Sequence, residues 1–164
     1  MPNGIWTVAE QRDGQFRRIT YEIICEGRRL ADALEQDLTV VVLGDEIKKS
    51  SEKLGQYGVD HIWVAEDPRL KEYITDAYVK IISDLVKTKD PAVIILGASA
   101  QGKDLSARLS ARLNAALAPD CTEFEIEDGN LIAVRPIYAG KAFITAEFVD
   151  SWPNLLSARP NKMD

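Results

Sequence analysis

Residues 92–105 read AVIILGASAQGKDL. The first six positions are apolar and close on Gly97, the pattern of a strand covered on both faces in a parallel sheet. Leu105, Leu109, Leu113 and Leu117 then recur every fourth residue and mark one face of a helix. Ser99-Ala100-Gln101-Gly102-Lys103-Asp104 is the tight connection between them. Strand, short turn and helix make one unit of an α/β sheet.

The same rhythm extends toward the N-terminus. Ile74, Tyr78, Ile81, Ile82 and Leu85 line one face of a helix over residues 71–87, with lysines at its end and Pro91 beyond it. HIWVA (61–65) and LTVVVLG (38–44) are strands, the second almost wholly apolar. Asp45 reads as the N-cap of a helix running to about residue 57, with Gly58 ending it. Ile23, Ile24, Gly27, Leu30, Ala31 and Leu34 share a helix face, where Gly27 allows close packing against a sheet. IWTVA (5–9) is the first strand, and residues 11–14 form a polar turn. This βα repetition predicts an α/β fold with a parallel, doubly wound sheet and right-handed crossovers.

Past Pro119 the rhythm changes. CTEFEIED, LIAVRPIY and KAFITAEFV are separated by Gly129-Asn130 and Ala139-Gly140. Strands joined by such short turns predict a C-terminal antiparallel extension. Pro136 belongs at a strand end or bulge. Leu155-Leu156 is a last short apolar piece. The expected organisation is one domain over 1–164, with a parallel core at 1–118 and the extension at 119–160.

Charge and composition narrow the function. The chain has 164 residues, 26 acidic against 20 basic, for a net charge of −6. That balance disfavours nucleic acid as a partner, which needs a basic face. No apolar run reaches the roughly 20 residues of a membrane span, so no membrane insertion is expected. MPNGIWTVAE lacks a basic region followed by an apolar stretch, so neither a secretory signal nor a transit peptide is read there. The expected compartment is the cytoplasm, or the mitochondrial matrix in a eukaryote. Cys25 and Cys121 read as free, buried thiols, although sequence gives no distance between them. His61 is the one histidine and sits on a strand, so it reads as an edge or packed residue rather than a general base. No metal ligand set is present.

Three stretches carry candidate chemistry. Gly97 to Asp104 spells G-x-x-x-x-G-K-D, a P-loop whose final Ser or Thr is replaced by a carboxylate. The hydroxyl that would hold magnesium is missing, and Asp104 puts negative charge where phosphate would lie. The expected reading is a packed strand–helix turn with Asp104 supporting the helix N-terminus. Gly97, Gly102 and Lys103 remain weak anion-site candidates through exposed N–H groups. Gly44-Asp45-Glu46 lies where α/β sheets hold ligands, but two carboxylates after a strand read first as helix capping. No G-x-G-x-x-G occurs, so no dinucleotide site of that kind is expected. Arg135, Tyr138, Gly140 and Lys141 combine cations, an aromatic and a flexible turn between two strands, the composition either of an interface or of a hairpin whose charges are solvated.

The segments IWTVAEQRDG, LGASAQGKDLSARLSARLNAALAPDCTEFEIEDG, AVRPIYAGKAFIT and SARPN resemble, in order and spacing, the N-terminal domain of the electron-transfer flavoprotein alpha subunit. The resemblance covers essentially the whole chain. It implies a fold like that of adenine-nucleotide alpha hydrolases, with a five-stranded parallel core and an added antiparallel piece. It implies that residues 102–104 belong to a strand–helix turn and that no NTPase site exists. It implies a scaffold without catalysis of its own, packed against an electron-transfer flavoprotein beta subunit and serving flavin dehydrogenases through the complex. FAD is the cofactor of the intact family complex, held mainly by a C-terminal domain. That domain's glycine- and serine-rich segments are not among these residues, so no flavin ligand is carried over and none is expected in this chain alone. Ala139 stands where the family often has a glycine. The alternative is a free-standing AMP- or ATP-binding module of the universal-stress-protein type, with its nucleotide near Gly44 and Gly97. The G-x-x-G-x-G-x-x-G-[ST] stretch of that family is missing.

Overall fold

The apolar strands assemble around Ile5–Val8, which becomes the centre of the sheet. A computed structural model describes residues 1–163. In chain order its elements are β1 (Ile5–Val8), β2 (Gln11–Arg12), β3 (Gln15–Phe16), α1 (Arg18–Leu34), β4 (Leu38–Gly44) and α2 (Lys48–Glu52). They continue with β5 (His61–Glu66), α3 (Thr75–Lys89), β6 (Val93–Gly97), α4 (Ala100–Leu113) and β7 (Leu117–Cys121). The chain then forms β8 (Glu123–Glu127), β9 (Asn130–Ile137), β10 (Ala142–Glu147) and β11 (Asn154–Ala158).

The main sheet has six strands in the order β5-β4-β1-β6-β11-β7, every neighbouring pair parallel. It is one strand wider than the five-stranded core that the resemblance implied. β4, β6 and β11 are buried along their whole length because each is covered on both faces. One face packs on α1 through Ile23, Ile24 and Leu30, and the other on α3 and α4 through Ile82, Leu105 and Leu109. Gly27 does what the sequence suggests: a Cβ there would lie 2.8 Å from Leu38 Cδ1 and 3.0 Å from Thr7 Cγ2, so α1 sits directly on the sheet.

Three details differ from expectation. The parallel sheet does not end at residue 118. β7 runs through Pro119, and β11 returns between β6 and β7. The antiparallel sheet, ordered β10-β9-β8, is therefore inserted between two parallel strands rather than appended after them. Pro119 is tolerated because the β7–β11 register shifts there and Asp120 adopts a positive φ of 56°. Asp45 does not cap a long helix. Glu46 turns with a φ of 49°, so the helix starts only after Ile47, and Glu66 Oε2 accepts the Lys48 N–H at 2.9 Å; α2 then tightens into a 3-10 turn over Lys53–Tyr57, which Gly58 ends at a φ of 81° as expected. Cys25 is exposed on the outer side of α1, whereas Cys121 is buried, and both are free. Burial pushes the Cys121 thiol up to about 12, which makes it inert.

Candidate functional site

α4 meets the sheet at the carboxyl ends of β1 and β6, where the chain order reverses direction across the sheet. Open α/β sheets hold ligands at such a switch point. Here the chain fills it. Ser99 caps α4, its Oγ accepting the Gly102 N–H at 3.0 Å. The Ser99 hydroxyl in turn donates to Glu10 Oε1. Gly102 presses so closely on β6 that a Cβ would lie 1.7 Å from the Gly97 carbonyl oxygen. A Cβ on Gly97 would meet Ile19 Cγ1 at 2.5 Å. Both glycines thus serve close packing, as the sequence suggests. Lys103 is exposed, and its backbone N–H is spent on the Ser99 carbonyl at 2.8 Å.

Glu10, at the end of β1, escaped the sequence reading. It is 3% exposed, and its Oε2 has no hydrogen-bond partner. Burial raises its pKa, opposed by the Ser99 hydroxyl and by the charge of Arg17. The helix N-terminus that would attract an anion already faces this carboxyl group. Such a group favours the native state when protonated, so its contribution falls as pH rises from the ordinary glutamate range through the raised value. Glu10→Gln removes that dependence. The variant should melt above the parent at about pH 8, by a margin that closes as pH falls to about 4. Thermal melts followed by circular dichroism across that range provide the check, and equal melting at the alkaline end refutes it.

Asp104 does not support the α4 N-terminus as expected. It accepts from Tyr73 Oη at 2.8 Å, Thr75 Oγ1 at 2.7 Å and Arg108 Nε at 3.2 Å, tying α4 to the start of α3. The hydroxyls of Thr75 and Tyr73, more than the Arg108 charge, hold its carboxyl below the usual range. His61 opens the edge strand β5, with Nε2 3.1 Å from Asp37 Oδ2. Among the described residues no group of three His, Cys, Asp or Glu is placed to hold a metal. No helix among them is long and apolar enough to cross a membrane.

The interface candidates divide in two. Tyr138, Gly140 and Lys141 stand at the exposed tip between β9 and β10. Tyr138 is 78% exposed, and Tyr138, Ala139 and Gly140 all take positive φ, at 50°, 54° and 82°. Only the third is a glycine, so the tip holds two side chains in a backbone region they rarely adopt. Arg135 points back instead, and its Nε donates to the Pro119 carbonyl at 3.0 Å. Asp120 accepts from Arg159 Nε at 3.1 Å, and that hydrogen bond, helped by the charges of Arg159, Lys103 and Arg135, keeps its carboxyl below the usual range against the cost of burial. Sequence reading missed the other exposed apolar residues of this region, Phe143, Ile144, Val149 and Trp152. For Phe143 and Ile144 the signal was residues 142–146, where no charge alternates with the apolar side chains; Val149 and Trp152 lie beyond β10.

Comparison with known proteins follows this geometry. The model of the electron transfer flavoprotein domain matches residues 5–164. The chain is 38% identical over 159 residues to Protein FixB of Clostridium saccharobutylicum, covering 96% of this chain and 47% of that protein. It is 36% identical over 159 residues to the electron transfer flavoprotein subunit alpha of Clostridium acetobutylicum, with the same coverage of 96% and 47%. It is 35% identical over 183 residues to the acryloyl-CoA reductase electron transfer subunit beta of Anaerotignum propionicum, covering 97% and 50%. The chain spans about half the length of the curated relatives it matches. A sheet whose ligand position is filled by its own side chains, bearing an exposed hairpin and matched end to end by one family model, belongs to the electron transfer flavoprotein family, on the side of its alpha subunits.

Proposed function

We propose that this chain is the scaffold domain of an electron-transfer flavoprotein alpha subunit, docking the beta subunit and performing no catalysis of its own. The observation that carries the reading is the hairpin tip, an exposed tyrosine beside Lys141 on a fixed left-handed backbone. Tyrosine next to a cation at a pre-shaped turn is the chemistry of a protein anchor. In the intact complex FAD supplies the electron chemistry. The residues of this chain do not fit that group. A flavin diphosphate needs free N–H donors at a helix N-terminus. α4 instead faces the Glu10 carboxyl, and Gly102 is closed against Gly97. The space beside Gly44 is taken by Gln11 and Ile47, which also disfavours the nucleotide-module alternative. What remains nearby is a polar crevice of about 520 Å³ lined by Arg12, Arg17, Lys71 and Tyr73 and bordered by Ala100 and Gln101 of the first turn of α4.

In the mechanism that follows, this chain positions rather than reacts. Arg135 ties the hairpin to Pro119 of the parallel sheet, whose end the Asp120–Arg159 pair fixes in turn, so the tip is presented at a constant place. A beta subunit from the same genome, immobilised and titrated with this chain, should bind. Tyr138→Ala should weaken that binding by about a hundredfold, as truncation of an anchor does. No binding by the parent chain, or equal binding by the variant, overturns the docking role. Flavin retained by this chain alone after desalting overturns the scaffold role.

A further inference from the structure

Three cations meet where the sheet changes direction. β1 and β6 are neighbours, α1 lies on one face of the sheet and α4 on the other. The β2–β3 hairpin separates β1 from α1, but the Arg17 N–H returns to the Glu10 carbonyl at 2.9 Å. Both helices therefore begin at the switch point, and both are long, with 17 and 14 residues. Their positive ends favour negative charge there. Glu10 and Ser99 fill the inner part of that position. The crevice of about 520 Å³ lies outside them. Its volume is that of a small-molecule site, roughly 300–1,000 Å³.

The cations reach the crevice from three segments. Arg12 stands on β2, Arg17 occupies the N-cap position of α1, and Lys71 precedes α3. Among the described residues none of the three forms an ion pair, in a chain of net charge −6. Their spacing is set by a fourth residue of the wall, Gln11, which is 9% exposed. Gln11 Oε1 accepts the Gly14 N–H at 3.1 Å, and its Nε2 donates to the Lys71 carbonyl at 3.2 Å. One buried amide thus ties the β2–β3 turn to the Lys71 segment and leaves the cations unspent. On the far wall, the N–H groups of Gly102 and Lys103 are spent on Ser99. Those of Ala100 and Gln101 have no partner among the described residues. Two free amides serve one phosphoryl group, whereas a diphosphate would also draw on the amides that Ser99 has taken. Asp13 and Glu72 line the same crevice. They can only accept, so they repel a phosphoryl group but suit hydroxyl or amino groups attached to one.

We propose that this crevice binds a phosphoryl dianion, free or as the ester of a small polar molecule, held by Arg12, Arg17, Lys71 and the Ala100 and Gln101 N–H groups. The site goes beyond the docking reading: it lies at the carboxyl ends of the strands and needs no beta subunit.

Inorganic phosphate titrated into the isotope-labelled full chain at about 0.15 M ionic strength should shift the Ala100 and Gln101 amide resonances to saturation, with a Kd of about 1 mM. Glycerol 3-phosphate should saturate the same amides. A Kd about tenfold lower than that of phosphate assigns the site to an ester whose hydroxyls reach Asp13 and Glu72, and an equal Kd assigns it to free phosphate. Arg12→Gln and Arg17→Gln should each weaken binding about tenfold with melting unchanged, because both side chains are exposed and each removes a charged hydrogen bond. Lys87→Gln, exposed in the last turn of α3, should leave binding as in the parent. Shifts at Ala100 and Gln101 that are absent, or that still rise linearly past about 10 mM phosphate, overturn the proposal. Equal weakening by Lys87→Gln and Arg17→Gln also overturns it, since diffuse charge would then account for the binding. Loss of beta-subunit binding with phosphate binding intact overturns the docking reading alone.

Discussion

Gly102→Ala should unfold this protein or bring it close to unfolding. Helix propensity argues the reverse, since alanine is favoured over glycine by about 1 kcal/mol inside a helix. Packing decides the sign. The added methyl would lie 1.7 Å from the Gly97 carbonyl oxygen, and that atom is backbone in a strand buried along its length. It has no rotamer to adopt. Either α4 lifts from β6, opening contacts made by Leu105 and Leu109, or β6 loses its bonds to β1 and β11. The Ser99 cap and its link to Glu10 go with the displaced helix end. Overpacking that moves backbone belongs to the severe class of substitutions, about 4 kcal/mol or more. Against a total stability of about 5–15 kcal/mol, that is most of the margin for many domains. A melting temperature lowered by about 10 °C or more, or recovery in the insoluble fraction, is the expected result. A Gly102→Ala protein that melts at or above the parent temperature would show that propensity outweighs the contact. Lys103→Ala, one residue on and exposed, should leave melting within about 0.5 kcal/mol of the parent.

The same glycine illustrates what could be read in advance. The runs at β4 and β6 announce buried parallel strands because neither carries a charge and Thr39 is their one polar side chain, the pattern of strands covered on both faces. The near-miss P-loop reads as a packed turn, and Gly97 and Gly102 do pack closely there, but Asp104 does not serve the helix end. Its actual bonds to Tyr73 and Thr75 were not readable, because they depend on how α3 and α4 lie side by side. β11 was hidden for a similar reason. Five residues without alternation carry little periodic signal, and the strand's place between β6 and β7 is fixed by partners about 60 and 40 positions away. Leu117 continued the leucine spacing of α4 and was read as helix, although Asn114 ends the helix in a left-handed cap. At the hairpin, composition marked Tyr138 and Lys141. The positive φ of Tyr138 and Ala139 was invisible, since only glycine advertises that region. Glu10 was passed over because an acid after a strand normally reaches solvent, and only the fold places α4 above it.

Phe124→Ala should cost about 3–5 kcal/mol and should loosen the inserted sheet more than the parallel one. Phe124 is 1% exposed and belongs to the core on the α1 side of the main sheet. It is the large side chain through which β8 enters that core, and the carbonyl of the same residue accepts from the Arg29 guanidinium of α1. Ring and carbonyl together fix the antiparallel strands to the body. Removing the ring leaves a cavity that β8 cannot close without moving, because β9 holds it in register from Glu123↔Val134 to Glu127↔Asn130. The remaining anchors are Leu131, Ile132 and Ala133 of β9, and Arg135 bonded to Pro119. Amides of β8 and β9 should therefore exchange faster in the variant, while those of β1, β4 and β6 keep protection closer to that of the parent. The hairpin tip would lose its fixed position, so affinity for the beta subunit should fall although Tyr138 and Lys141 are untouched. Uniform acceleration of exchange across both sheets would mean that the two unfold as one unit. Unchanged exchange in β8 and β9 would mean that Phe124 does not hold the inserted sheet in place, and that the tip is positioned by Arg135 and the β9 core residues instead.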